Sequence, residues 1–160
     1  WRSVMKIIIY TGASGNLCYV RPVINTMGER PGFNEGDALA RALAKLPPDA
    51  ANPQIVEATA IHADRTFRNA WKQAGATIEH DMPKARTIAQ DRVKEARIPR
   101  FAHWDALWSK AQEDNDAAAM ATIRANRQKL RDAPADPRIA NAANEMALKA
   151  AMQAVIGELP

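Results

Sequence analysis

The sequence has one cysteine, three serines, three histidines and no glycine between Ala76 and Ile156. Aromatic residues make up 6% of its 160 positions. Each shortage excludes something. The lone Cys18 rules out an intramolecular disulfide and a Cys-based zinc site, and it fits a reducing compartment. Ser3, Ser14 and Ser109 do not sit in a nucleophile elbow. His62, His80 and His103 are scattered, without the i, i+4 spacing that places two imidazoles on one helix face for a metal, so they read as polar surface residues. No apolar run approaches the roughly 18 residues of a membrane span. Ile7-Ile8-Ile9-Tyr10 is too short for the apolar region of a signal peptide. Met5 reads as a natural start, with Trp1–Val4 either a remnant of expression or an upstream extension. No catalytic residue, metal or cofactor is expected, and the chain reads as a non-enzyme.

What is present is a 47% hydrophobic chain with 22 Lys+Arg against 18 Asp+Glu, a net charge of +4. About a fifth of the residues are alanine, so less apolar surface can be buried than the percentage suggests. The two signs of charge are interspersed, whereas a dedicated nucleic-acid binder gathers its positive charge on one face. The glycines divide the chain: all but Gly157 lie at or before Gly75. Glycine marks turns and is disfavoured in helices, so the first half should be strands and turns and the second half helix.

Met5–Thr11 is β-branched and aromatic and reads as a strand. Gly12–Asn16 is a turn, Leu17–Ile24 a second strand, and Met27–Gly32 a loop. Asn34 should cap a helix through Leu46, with Asp37 in its first turn and Leu39, Leu43 and Leu46 on one face. Gln54–Ala60 reads as a third strand. Thr66–Lys72 and Ala76–His80 read as a hairpin around Gln73-Ala74-Gly75. Asp81 should cap a long helix with Pro83 in its first turn. Its stripe of Ala85, Ala89, Val93 and Ala96 continues through Phe101, Trp104, Trp108 and Ala111, and Pro99 should kink or split it. After a turn at Asp114-Asn115-Asp116, a helix from Ala117 to Arg131 should fold back antiparallel. A proline-bounded linker, Ala133–Pro137, leads to a last helix, Ile139–Ile156. The expected class is α+β: a small antiparallel head with one helix over residues 5–80, then a helical hairpin and C-terminal helix over 81–157.

Thr11-Gly12-Ala13-Ser14-Gly15-Asn16-Leu17 resembles the glycine-rich loop of short-chain dehydrogenase-type Rossmann proteins, in which backbone N–H groups at a helix N-terminus hold a pyrophosphate. The fingerprint wants a glycine where Cys18 stands, and a helix where Cys18–Val23 is strand-like and contains Pro22. A hairpin turn, with Gly12 and Gly15 supplying positive φ, fits better. Dinucleotide binding is the alternative, and it requires a parallel sheet. Cys18 itself reads as a small core residue. Lys84, Arg86, Arg92, Lys94, Arg97 and Arg100 form a basic segment, interrupted by Asp91 and Glu95, that reads as a solvated face rather than a phosphate-binding stripe. Phe101, Trp104 and Trp108 read first as core anchors among alanines and second as a partner patch. Trp71, beside Arg68 and Lys72, looks harder to bury and is the better exposed-contact candidate.

The order of motifs from Ala63 onward is also distinctive. Ala63-Asp64-Arg65-Thr66-Phe67-Arg68-Asn69-Ala70-Trp71 is followed by Asp81-Met82-Pro83-Lys84-Ala85-Arg86, then Arg127-Gln128-Lys129-Leu130-Arg131-Asp132, then Asp136-Pro137. This resembles a family of small proteins encoded in phage and prophage tail regions. The 127–132 element is similar to one in tail assembly chaperones and tail-fibre assembly proteins. The resemblance spans roughly Met5–Ala140 and departs at Phe101-Ala102-His103-Trp104; the final helix is unmatched. It implies a protein working by protein–protein contact, as a tail or tail-fibre component or as an assembly chaperone. Such a protein would be found in the bacterial host cytoplasm during assembly, or in the virion tail. Phe67, Arg68, Trp71, Trp104 and Trp108 are the candidate contact residues. The expected partner is a phage tail or tail-fibre protein, with a second copy of the chain as a further candidate; no membrane is expected, and nucleic acid is disfavoured. A small phage regulator acting on host machinery through the basic helix is a third reading.

Overall fold

The computed structural model describes residues 5–23 and 34–160. The loop assigned to Met27–Gly32, the end of the second strand at Ile24, and Trp1–Val4 lie outside the described residues. The fold is α+β, and the chain divides into two compact units, Trp1–Asp81 and Met82–Pro160.

In the first unit, β1 (Lys6–Thr11) pairs antiparallel with β2 (Leu17–Val20). Chain then forms α1 (Glu35–Ala44) and β3 (Ala51–Glu57), which pairs antiparallel with the other side of β1 to give the sheet order β2–β1–β3. A separate hairpin follows, β4 (Trp71–Ala74) and β5 (Thr77–His80). Strand alternation explains why β1 is the centre of the head. Ile7 and Ile9 point to one face and join Val56, Trp71 and Ile78 in a buried cluster. Ile8, equally buried, points to the opposite face, and α1 packs against β1 through its buried Ala38 and Leu39. A strand covered on both faces must be apolar throughout, hence the Ile-Ile-Ile run.

Local chemistry sets the boundaries. Asn34 Oδ1 accepts from Asp37 N–H at 3.0 Å and Asp37 reaches back to Asn34 N–H, a reciprocal cap that starts α1 where the sequence placed it. The helix ends at Ala44 rather than Leu46, ahead of Pro47-Pro48. The third strand lies three residues earlier than expected because Ala58–Ala60 tightens into a 3₁₀ turn. Pro53 is tolerated because β3 is an edge strand carrying a bulge. The register jumps between Ile9 and Thr11, and Asn52 takes φ +52°. Asn is one of the few residues that adopts this conformation readily. The Gln73 amide ties the hairpin to this bulge, donating to Asn52 O (2.7 Å) while accepting from Thr11 Oγ1 (3.1 Å). The hairpin's first strand begins at Trp71, not Thr66. Asp64 Oδ1 takes both the N–H (2.8 Å) and the hydroxyl (2.6 Å) of Thr66, and Arg68–Ala70 is a 3₁₀ turn. Ala74 pairs with Thr77, so the turn residues are Gly75, at φ +61°, and Ala76.

The second unit is helical. α2 (Met82–Glu113) runs 32 residues, about 48 Å at 1.5 Å per residue, and is continuous through Pro99. The expected split at Pro99 does not occur, and the residue lies on an exposed face where its ring meets solvent. Asn115 at φ +50° turns the chain, and Asp116 caps α3 (Ala117–Asp132) by accepting from Ala119 N–H at 2.8 Å. The single C-terminal helix expected from Ile139 is instead two. After a 3₁₀ turn at Ala133–Ala135 come α4 (Pro137–Ala140) and α5 (Glu145–Gly157). Asn144 restarts the helix by accepting from Ala147 N–H at 2.9 Å. Ala85, Ala89, Val93, Leu130, Ile139 and Leu148 are fully buried. Alanine on α2 lets α3 and α5 approach closely while branched residues on those helices fill the space.

Candidate interaction surface

The contact candidates separate by burial. Phe67 is 2% exposed and Trp71 3% exposed, so the expectation that Trp71 is an exposed contact is overturned. Its indole enters the head's core, and its polar edge is satisfied. Nε1–H donates to His80 Nε2 at 3.0 Å, which fixes the His80 proton on Nδ1. His62 stacks against both, with ring centroids 4.8 Å from His80 and 5.6 Å from Trp71, and its Nε2–H donates to Ile78 O at 3.0 Å. His62 and His80 are thus half-buried partners of a tryptophan, not the scattered surface residues expected. Trp71 and His80 are direct cross-strand partners, and the interval of nine that brings them together becomes readable only once the hairpin register is known. Arg68 alone among the head's candidates is exposed.

Trp104 and Trp108 are half-buried and already engaged. Trp104 Nε1–H donates to Pro160 O at 3.1 Å, and the Arg124 guanidinium lies 5.0 Å from the Trp108 ring centre. The basic face of α2 is also turned inward in part. Arg97 Nη1 donates to Leu130 O and Arg131 O, both at 3.2 Å. Arg100 donates to Leu159 O (3.2 Å) and Arg86 to Ala142 O (3.0 Å). Lys94 pairs with Asp91 at 2.8 Å. Arg97 thus satisfies two carbonyls in the last turn of α3, where its charge suits the negative end of the dipole, while Arg86 and Arg100 satisfy carbonyls of the segments beyond α4 and α5. Arg86, Arg92 and Arg97 are therefore half-buried rather than on the solvated face expected of them, while Lys84, Lys94 and Arg100 are exposed as expected.

The glycine loop is a hairpin turn. Gly15 takes φ +73°, while Gly12 does not take positive φ: a Cβ there would stand 3.1 Å from Cys18 Sγ. Strand follows strand, antiparallel, where a dinucleotide loop needs a helix. One loop N–H, that of Ala13, is taken by Asp49 Oδ2 at 3.1 Å. Cys18 is half-buried beside Tyr10, whose hydroxyl pKa is pushed up by burial and by Cys18.

Two depressions bear on function. A cavity of about 550 Å³ in the second unit is lined by Lys129, Asp132, Asp136, Arg138 and Glu158 among others. Arg138 occupies both neighbouring carboxylates, Asp136 at 2.9 Å and Glu158 at 2.7 Å. The hydrogen bonds from Arg138 hold both acids below their ordinary carboxylate range. The second depression, about 310 Å³, lies in the first unit between the end of β2 and α1. Its lining is Val20, Arg21, Pro22, Val23, Ala38, Arg41, Ala42 and Lys45, apolar residues and cations with no acid among them. Among the described residues no group of three His, Cys, Asp or Glu could hold a metal, and no helix is long and apolar enough to cross a membrane.

No protein-family model, curated protein or solved structure matches the chain.

Proposed function

We propose that the chain is a non-enzymatic phage tail-region protein that acts by protein–protein contact, as a tail or tail-fibre component or as an assembly chaperone. The observation that carries the contact reading is the open sheet edge. The sheet ends in β2 on one side and β3 on the other, and neither pairs with a further strand among the described residues. An unpaired edge presents backbone donors and acceptors that an extended segment of another chain can complete. β3 is blunted by its bulge and by Pro53, which leaves β2 as the edge fit for pairing.

The tail-region setting rests on the motif resemblance. The residues carrying that resemblance have structural work in this fold. Phe67 and Trp71 fill the head's core, Arg127 pairs with Asp105 at 3.0 Å, and Asp136 caps α4. The contact surface is sought beside them. Co-expression with the neighbouring tail-fibre protein, followed by affinity purification, is the test. Stoichiometric co-purification is expected. No association with any tail or tail-fibre protein of the same genome would refute the reading.

A further inference from the structure

Resting on the contact reading above, we infer that the groove between the end of β2 and α1 is a docking site for an extended, acidic peptide segment of a partner. Three features converge there. The groove follows directly from the open β2 edge, so a segment pairing with β2 would run on into it. Its floor is apolar: Val20, Pro22, Ala38 and Ala42 line it, and Val23, at 83% exposure, offers more of its surface than any other large apolar side chain among the described residues. Its rim is cationic, with Arg21 from the strand side and Lys45 from the end of α1; Arg41, also on the rim, is engaged in an interaction of its own.

Two of those cations sit near the helix C-terminus, where the dipole alone favours them. Arg21 comes from a different element, and the dipole does not account for it. A rim of one sign over an apolar floor selects a partner that is acidic at its margins and apolar at its anchor. The larger cavity of the second unit shows the contrast. There two cations, Lys129 and Arg138, face three carboxylates and Arg138 is clamped by two of them, so no positive charge is left over to select an acidic ligand. Backbone pairing on β2 would supply affinity, while alternate side chains entering the groove would supply selectivity.

The test uses the whole chain, isotope-labelled for amide NMR, and two capped eight-residue peptides, one alternating Glu and Val and one alternating Lys and Val. The Glu/Val peptide is expected to bind saturably, to shift the amides of Leu17–Val23 and Ala38–Lys45, and to weaken as salt rises from about 50 to about 300 mM. The double substitution Arg21→Glu/Lys45→Glu should weaken it about tenfold and favour the Lys/Val peptide. Circular dichroism checks that the variant folds, and the single exposed change Lys45→Glu carries the same comparison if it does not. Absence of shifts at these amides with millimolar Glu/Val peptide overturns the inference, as does equal binding of the Lys/Val peptide. Shifts at the same amides that depend on protein concentration without peptide would assign the groove to a second copy and overturn the peptide occupant. Peptide binding without tail-protein association leaves the groove and removes the tail setting. Association that survives the double substitution removes the groove and leaves the setting.

Discussion

Replacing Trp71 by Phe separates a core tryptophan from a contact tryptophan. Trp71 is 3% exposed, packs with Ile7, Ile9, Val56 and Ile78, and gives its indole N–H to His80. Phenylalanine keeps one aromatic ring but loses that donor. The lost hydrogen bond costs about 1 kcal/mol. The volume of the missing ring adds about 1 kcal/mol more as a partial cavity. The total of about 2 kcal/mol corresponds to a fall of about 8–16 °C in the Tm of a unit this size. Trp71→Ala should cost about 3–5 kcal/mol, a large part of a small domain's stability. Thermal melts by circular dichroism, with hydrogen exchange at residues 71–80, measure the loss. Fluorescence from Trp104 and Trp108 reports on the second unit in the same sample. A Trp71→Phe protein that melts within about 1 °C of the parent yet binds its partner more weakly would refute the core assignment and restore Trp71 as a contact residue.

Other outcomes follow from single interactions. Gly75→Ala places a Cβ at φ +61° and should cost about 1 kcal/mol in a urea titration, whereas a substitution at Gly157, which has open space around it and no positive φ, should cost less. Arg97→Met removes the donor to Leu130 O and Arg131 O and should destabilise the second unit by about 1–2 kcal/mol, without the salt dependence of a surface ion pair. Asp136 and Glu158 are depressed by Arg138, so the stability they add is present above their unfolded values and is lost as pH falls through their folded ones. Arg138→Gln should therefore flatten the acid limb of a stability–pH profile, and an unchanged limb would show that the clamp contributes nothing.

Much of the fold was legible because local signals agreed with it. Asn34 and Asp37 announced α1, the turn at Asp114-Asn115-Asp116 marked where α3 begins, and the β-branched Ile7–Ile9 run marked β1. The failures have physical causes. The end of β3 was misplaced because Ala58–Ala60 keeps strand-like company in sequence but turns. The C-terminal helix was read as one because Asn144, a cap, is preceded by alanines that favour helix. The site was far less legible. Trp71 beside Arg68 and Lys72 looks exposed, and only the hairpin register, which sets it opposite His80, explains its burial. Arg86, Arg97 and Arg100 read as surface charge because their acceptors are carbonyls 33 to 59 residues away. The cationic groove was invisible for the same reason: Arg21 and Lys45 meet only after the sheet and α1 pack.

Quantitative mass spectrometry of phage assembly intermediates and purified virions tests contact with the tail most directly. The account predicts this chain bound to a tail or tail-fibre protein in at least one of those fractions, retained in the virion if it is structural and confined to intermediates if it is a chaperone. Its absence from both, with the protein expressed and folded in the infected cell, would contradict the account.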